Sequence, residues 1–265
     1  MTTEEEAVRR AWQEWHQQRL DVVRAPYGPL SVTGTHWLAD ADSEGRLADV
    51  PGHWAASGDG VRVHADVLEG LFHRGEPLVG GTLLVPEAND PAAARLAHGE
   101  RRLELLRREG EWAVRVHDPD AAARRTFSGV RTTPFDPRWV LRGTFRSYGE
   151  RRTVRVANAD GRERGLELAG TVEFTLPDGG SAGLRVSSVG SGALWAVFAD
   201  ATSGGTSCRF RFLRTGVPAA DGTVTVDFNR STLPPCAFSD HFLCPFPPPG
   251  NTLGVPVPAG ERDVA

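Results

Sequence analysis

Two periods divide the chain. Near the start, apolar positions recur at helical spacing: Val8, Trp12 and Trp15 fall at i, i+4 and i+7, with Ala11 beside them. That stripe predicts an amphipathic helix over residues 1–20, one face of which packs on the rest of the fold. Thr3 and Glu6 stand at the spacing of a capping box, in which each side chain satisfies the other residue's free backbone N–H. After Gly28-Pro29 the period drops to two. Val61, Val63, Ala65 and Val67 alternate with Arg62, His64 and Asp66, the pattern of a strand with one buried face. "GGTLLVPE", "RRLELLRREGEWAVRVHD" (a hairpin turning at Glu109-Gly110), "RWVLRGTFRSY" and the run from Arg152 to Val189 continue it, as do "GALWAVFAD", "CRFRFLRTG" and "GTVTVDFN". Asn158–Gly161 and Pro177–Gly180 carry turn chemistry, because Gly supplies positive φ and Asn or Asp tolerates it. About ten short strands separated by such turns predict an all-β fold, an antiparallel barrel or sandwich. With a weak seam near residues 86–100 and no linker, residues 21–265 read as a single β-rich domain.

The last stretch, residues 227–262, follows the final predicted strand and has no period. It holds two of the three cysteines and close to half of the prolines. It also contains Phe238, Phe242, Leu243, Phe246 and Val255, side chains that a disordered Pro-rich tail would lack. Proline lowers the entropy of the unfolded chain, so ordering such a segment costs less than ordering a Gly/Ser loop. A segment wrapped over the β-domain in one conformation is expected.

Composition narrows the function classes. A net charge of −4 implies no general affinity for nucleic acid or an anionic membrane surface. All 30 basic residues are Arg, so neither a Schiff-base lysine nor a phosphate-loop lysine is available. The acidic start lacks a signal-peptide pattern and no run approaches about 20 apolar residues, so a cytoplasmic protein is expected. No HExxH motif or strand-to-helix glycine loop is present.

Four groups of residues carry candidate chemistry. Asp227, Asn229 and Arg230 leave one strand end, with Asp227 and Asn229 expected on one face, opposite Phe228. Asp200, Thr202, Ser203 and Thr206 lie at a second strand end, and Arg115 and Asp118 at a third. If these ends meet, they form a polar pocket for a small polar or anionic ligand. Asp227 or Asp200 would then act as acid or base, Arg230 or Arg115 would hold an anion, and Cys236 would be a candidate nucleophile. The alternative is that these side chains cap turns and pair with each other. The fourth group, Cys236-x4-His241-x2-Cys244 with Asp240 beside it, offers two sulfurs and a nitrogen to zinc, leaving one position open. The same cysteines could instead form a disulfide or remain two thiols.

The terminal stretch also resembles the domain-of-unknown-function 1684 family. The resemblance rests on Asp227-Phe228-Asn229, Pro234-Pro235-Cys236-Ala237, Cys244-Pro245, Pro247-Pro248, Asn251, Leu253 and Ala259-Gly260-Glu261. "VRVHDPDAAARRTFSG" and "FADATSGGTSCRFRFL" are similar to other segments of the family, and the likeness runs from about residue 20 to 262. Leu233, Cys208 and His241 depart from the family's usual residues. Asn251 is also a candidate ligand contact, and the resemblance implies no activity of its own. The reading is an enzyme acting on a small polar or anionic molecule. The alternatives are a non-catalytic small-molecule-binding β-module and a zinc-site protein. A small-molecule ligand is the expected partner, and zinc the only candidate cofactor.

Overall fold

The computed structural model describes residues 3–85, 95–190 and 192–265, with side chains from Glu5 onward. The side chain of the proposed Thr3 cap and residues 86–94 of the 86–100 seam are not described. The chain forms two compact units. Residues 1–22 and 127–265 make the first, and residues 23–126 the second.

Among the described residues, the second unit holds ten strands: β1 (Val32–Trp37), β2 (Arg46–Leu47), β3 (Val50–Ser57), β4 (Gly60–Ala65), β5 (Leu71–His73), β6 (Glu76–Pro77), β7 (Gly80–Leu84), β8 (Leu96–His98), β9 (Arg101–Arg108) and β10 (Glu111–His117). They form antiparallel sheets in the orders β1-β10-β9-β8-β5-β6 and β2-β3-β4-β7. The core between them includes Trp54, Val61, Val63, Leu71, Leu103 and Trp112. The β9–β10 hairpin turns at Glu109 and Gly110, both at positive φ, as the sequence predicts. The alternation in β4 stops at Ala65. Val67 is exposed, because Asp66 and Glu69 close a capping box around a short 3-10 turn.

The first unit begins with helix α1 (Thr3–Arg24), longer than the predicted 1–20. A short helix, α2 (Ala122–Thr126), ends the second unit. The first unit resumes with β11 (Val130–Thr132), β12 (Val140–Ala157), β13 (Glu163–Thr175), β14 (Ser181–Val189), β15 (Ala193–Phe198), β16 (Arg211–Arg214), β17 (Thr223–Asp227) and β18 (Glu261–Val264). Six of these form an antiparallel sheet in the order β16-β15-β14-β13-β12-β17, and β11 pairs with β18. The fold is thus mainly antiparallel β with an N-terminal helix.

The proline-rich segment wraps the six-stranded sheet. Phe228, Leu253, Val257 and Ala259 pack in one core with Val172, Phe174, Leu184, Leu194 and Phe198. At Gly260, φ is +78° and an added Cβ would meet the Phe228 and Ser231 carbonyl oxygens at 2.7 Å. Only glycine fits where the segment passes that close to backbone.

Helix α1 turns inward the Trp12 and Trp15 part of its predicted apolar stripe but not Val8 and Ala11. Val8 and Ala11 are exposed, whereas Trp12, Trp15, His16 and Arg19 are half-buried. The Trp12 indole N–H donates to the Asn229 carbonyl at 2.8 Å, and Arg19 reaches Glu261. Polar anchors, rather than the apolar stripe alone, set the rotation of this helix.

Candidate functional site

The polar residues of the terminal motif fall into two environments, both within the first unit. In the first, Asp200 follows β15 and holds its own turn: its Oδ1 accepts from the Thr202 amide and hydroxyl at 2.6 Å each. In return, the Asp200 backbone N–H donates to Ser203 Oγ at 3.0 Å. The other carboxylate oxygen pairs with Arg211. Arg211 also donates to the carbonyls of Ala259 (2.5 Å), Val257 (3.0 Å) and Glu261 (3.3 Å). Burial pulls this guanidinium below its usual range, and Asp200 opposes the shift. Glu261 is equally buried. Its Oε2 accepts from the Leu233 amide at 2.6 Å and its Oε1 from Arg19 Nε at 3.2 Å.

Two asparagines do the work of missing strand partners. Asn251 Oδ1 accepts from the Arg185 amide (2.8 Å), and its Nδ2 donates to the carbonyls of Arg185 (2.9 Å) and Val197 (2.8 Å). It therefore bridges β14 and β15 from the terminal segment. Asn229 likewise brackets Asp136, accepting from its amide and donating to its carbonyl at 3.0 Å each. Asn229 is not on a strand as expected. β17 ends at Asp227, whose Oδ1 accepts from the Asn229 amide and caps a 3-10 turn over Phe228–Arg230. Asp227 and Asn229 still meet, through that cap and a second bond from Asn229 Nδ2 at 3.0 Å.

The second environment is a cavity of about 750 Å³. Helix α1 contributes Trp15 and Arg19, and β16 contributes Phe212 and Arg214. β17 contributes Thr225 and Asp227, and the segment after it Arg230, Thr232, Leu233 and Pro235. Strand alternation puts these side chains there: Val224 and Val226 point into the core, so Thr225 and Asp227 point away from it. In β16, Leu213 is buried while Phe212 and Arg214 face the cavity. Arg230 Nε lies 3.4 Å from Asp227 Oδ2, and its guanidinium stacks 5.4 Å from the Trp15 ring centroid. Among the described residues, Arg214 makes no side-chain hydrogen bond or ion pair. Burial pushes the Asp227 carboxyl above its ordinary value, against the opposing pull of Asn229 and Arg230.

A family model described as "Protein of unknown function (DUF1684)" matches residues 125–262, just over half of the chain. The chain belongs to the DUF1684 family. No curated protein matches it. Among solved structures, it is similar to an uncharacterized protein from gene locus rrnAC0354 of Haloarcula marismortui, determined by solution NMR. The two are 32% identical over 52% of this chain and 78% of that one, with a TM-score of 0.44.

The remaining candidate residues of this DUF1684 chain lie elsewhere. Arg115 and Asp118 belong to the second unit and have local partners there. Arg115 reaches Glu104 (3.5 Å) and Thr35 Oγ1 (3.3 Å), and Asp118 pairs with Arg101 at 3.2 Å. The His117 hydrogen bond, with Arg115 beside it, holds Glu104 below the usual carboxylate range. Thr206 gives its carbonyl to Arg262 at 2.6 Å. Cys236 and Cys244 do come together: the Cys236 amide donates to Cys244 Sγ at 3.3 Å. His241 is exposed and its amide donates to Ser239 Oγ. Among the described residues, no three His, Cys, Asp or Glu side chains are grouped to hold a metal ion. The expected Cys236, His241 and Cys244 ligand set is therefore not assembled, since the two sulfurs face each other rather than a shared third ligand.

Sequence reasoning missed Trp15, Arg19, Phe212, Arg214, Thr225 and Thr232 as cavity residues. For Arg214 and Thr225 a signal existed, since both sit at outward positions of an alternating strand that also carries a buried residue on each inward side. Nothing in the sequence says that α1 supplies the other wall.

Proposed function

We propose that this protein binds a small organic anion in the cavity between α1, β16, β17 and the terminal segment. The observation that carries this reading is Arg214, a guanidinium facing the cavity with none of its donors engaged by a described residue. Arg groups recognise carboxylate and phosphate through paired N–H donors. Arg230, already oriented by Asp227 and Trp15, supplies a second positive group on the same wall. Trp15, Phe212, Leu233 and Pro235 offer an apolar surface to the body of the ligand, the usual composition of a small-molecule site. An aromatic or branched aliphatic carboxylate or phosphate monoester fits this chemistry.

The reading is tested by calorimetric titration with phenyl phosphate and with benzoate. Saturable binding to the wild type that is lost in Arg214→Ala, with the thermal midpoint of the free protein unchanged, supports it. Failure of both probes to bind, or equal binding by the variant, overturns it.

Acid–base catalysis in the same cavity is a second reading, and Asp227 favours it. A carboxyl raised by burial at a cavity wall can deliver or remove a proton nearer neutral pH than a free one. An Asp227→Asn variant that binds the anion yet no longer turns over a bound ester would separate catalysis from binding alone. Asp200 has no part in either reading, because its carboxylate is enclosed by Arg211 and Thr202.

A further inference from the structure

Cys236 and Cys244 lie eight residues apart in sequence yet touch. The Cys236 backbone N–H donates to Cys244 Sγ at 3.3 Å, and the Cys236 thiol hydrogen-bonds the same sulfur. Cys244 thus accepts two hydrogen bonds from one neighbour. It is buried in a small apolar cluster with Val197, Phe210 and Phe246, while Cys236 is only partly covered. The Arg209 guanidinium lies close enough to favour negative charge at the pair. The loop joining the two is anchored at both ends: the Ala237 amide donates to Pro234, and the Ala159 amide donates to the Cys244 carbonyl at 2.9 Å.

We propose that Cys236 and Cys244 form a reversible two-electron redox site that closes to a disulfide on reaction with hydrogen peroxide or a small alkyl hydroperoxide. Cys244 is the attacking sulfur. The hydrogen bond to Cys244 keeps the Cys236 proton in place, raising that thiol far above the ordinary range, and the Cys236 backbone N–H points at Cys244 Sγ. An accepted backbone N–H favours a thiolate further. The Cys244 sulfur takes one peroxide oxygen as sulfenic acid while the O–O bond breaks, and the other oxygen leaves as water with the thiol proton. The Cys236 sulfur then displaces the new hydroxyl, which leaves as a second water with the Cys236 proton. In net, two thiols and one hydrogen peroxide give one disulfide and two waters, with two electrons passing from sulfur to oxygen. Small oxidants are favoured because the attacking sulfur is buried. Cys208, also a free thiol, is the bystander: its sulfur is bonded by the Phe210 and Arg209 amides rather than by either of the other cysteines, and its amide is tied to the Arg262 carbonyl at 2.7 Å.

The full chain treated with stoichiometric hydrogen peroxide, alkylated and mapped by mass spectrometry tests this directly. Two of the three thiols become protected, a single cross-linked peptide joins Cys236 to Cys244, and a dithiol reductant restores both. Cys208→Ser reacts at the wild-type rate, and in Cys244→Ser the remaining Cys236 resists the same dose. Three alkylatable thiols after excess peroxide, a cross-link through Cys208, or oxidation that the reductant does not reverse would each overturn the assignment. The wild-type map alone decides the matter if a variant fails to fold.

Discussion

Two clusters in the first unit use the same side chains and reach opposite outcomes. Around Asp200, Arg211 and Glu261, carboxylates and a guanidinium are enclosed, with side-chain exposures of 0%, 1% and 1%. Around Asp227, Arg230 and Arg214, the corresponding exposures of the ion pair are 18% and 41%, and Arg214 is open. In the first cluster, Arg211 is held by a carboxylate and three backbone carbonyls, all from the chain itself. In the second, donors remain for something else. A charged residue in a family motif is therefore a poor marker of a binding site by itself. The informative quantity is how much hydrogen-bonding capacity the fold leaves unused.

The contrast is broken most forcefully at Arg211. Removing one partner of a buried pair leaves the other charge uncompensated, which costs about 3–5 kcal/mol. Arg211→Ala should therefore lower stability by about that amount in urea unfolding, since Asp200 and three carbonyls lose their donor together. Arg214→Ala, on an exposed strand position, should change stability by less than about 0.5 kcal/mol. Equal losses in the two variants would erase the distinction between the clusters. Asn251→Leu comes next. It strands the Arg185 amide and the carbonyls of Arg185 and Val197, and unsatisfied buried groups cost about 1–3 kcal/mol each. A loss of about 3 kcal/mol or more, with faster amide exchange at Arg185, is the expected outcome. A neutral substitution would show that Asn251 is not the bridge between β14 and β15.

These differences explain what the sequence could and could not reveal. Alternation in β4, β10, β13 and β17 and the turns at Glu109-Gly110 and Asn158–Gly161 were readable because they are local, set by neighbouring residues. The wrapping of the terminal segment was readable from its aromatic content. The fates of Asp200 and Asp227 were not: both are aspartates at the end of a strand, and each caps the turn that follows it. What separates them is the arrival of Arg211 at one and of a cavity at the other. Arg211 in turn is fixed by carbonyls 46 to 50 residues downstream. The cavity needs α1, whose Trp12 meets Asn229 across 217 residues. Pairings at that range leave no spacing to recognise. Arg211 and Arg214 stand three apart in one alternating run and so face opposite sides of β16; the chain laid over the inner side is what makes Arg211 structural.

The smallest expected effect is also the one that ties the carboxyl to the cavity. Burial raises the Asp227 carboxyl in the folded state, whereas the unfolded chain titrates near about 3.9. The folded protein thus holds this proton more tightly than the unfolded chain does. Its contribution to stability is full below the unfolded value and is lost as pH rises through the higher folded value. Asp227→Asn carries no titrating group and keeps an oxygen for the Asn229 amide, so the variant should gain on the wild type across that window and run parallel above it. Carboxyl NMR shifts give the same quantity directly, and titration at or below the ordinary value would remove burial as the controlling influence. An anion held by Arg214 would add negative charge beside Asp227 and raise its carboxyl further. Titrating Asp227 with and without phenyl phosphate therefore distinguishes a carboxyl that merely caps a turn from one that also senses what occupies the cavity.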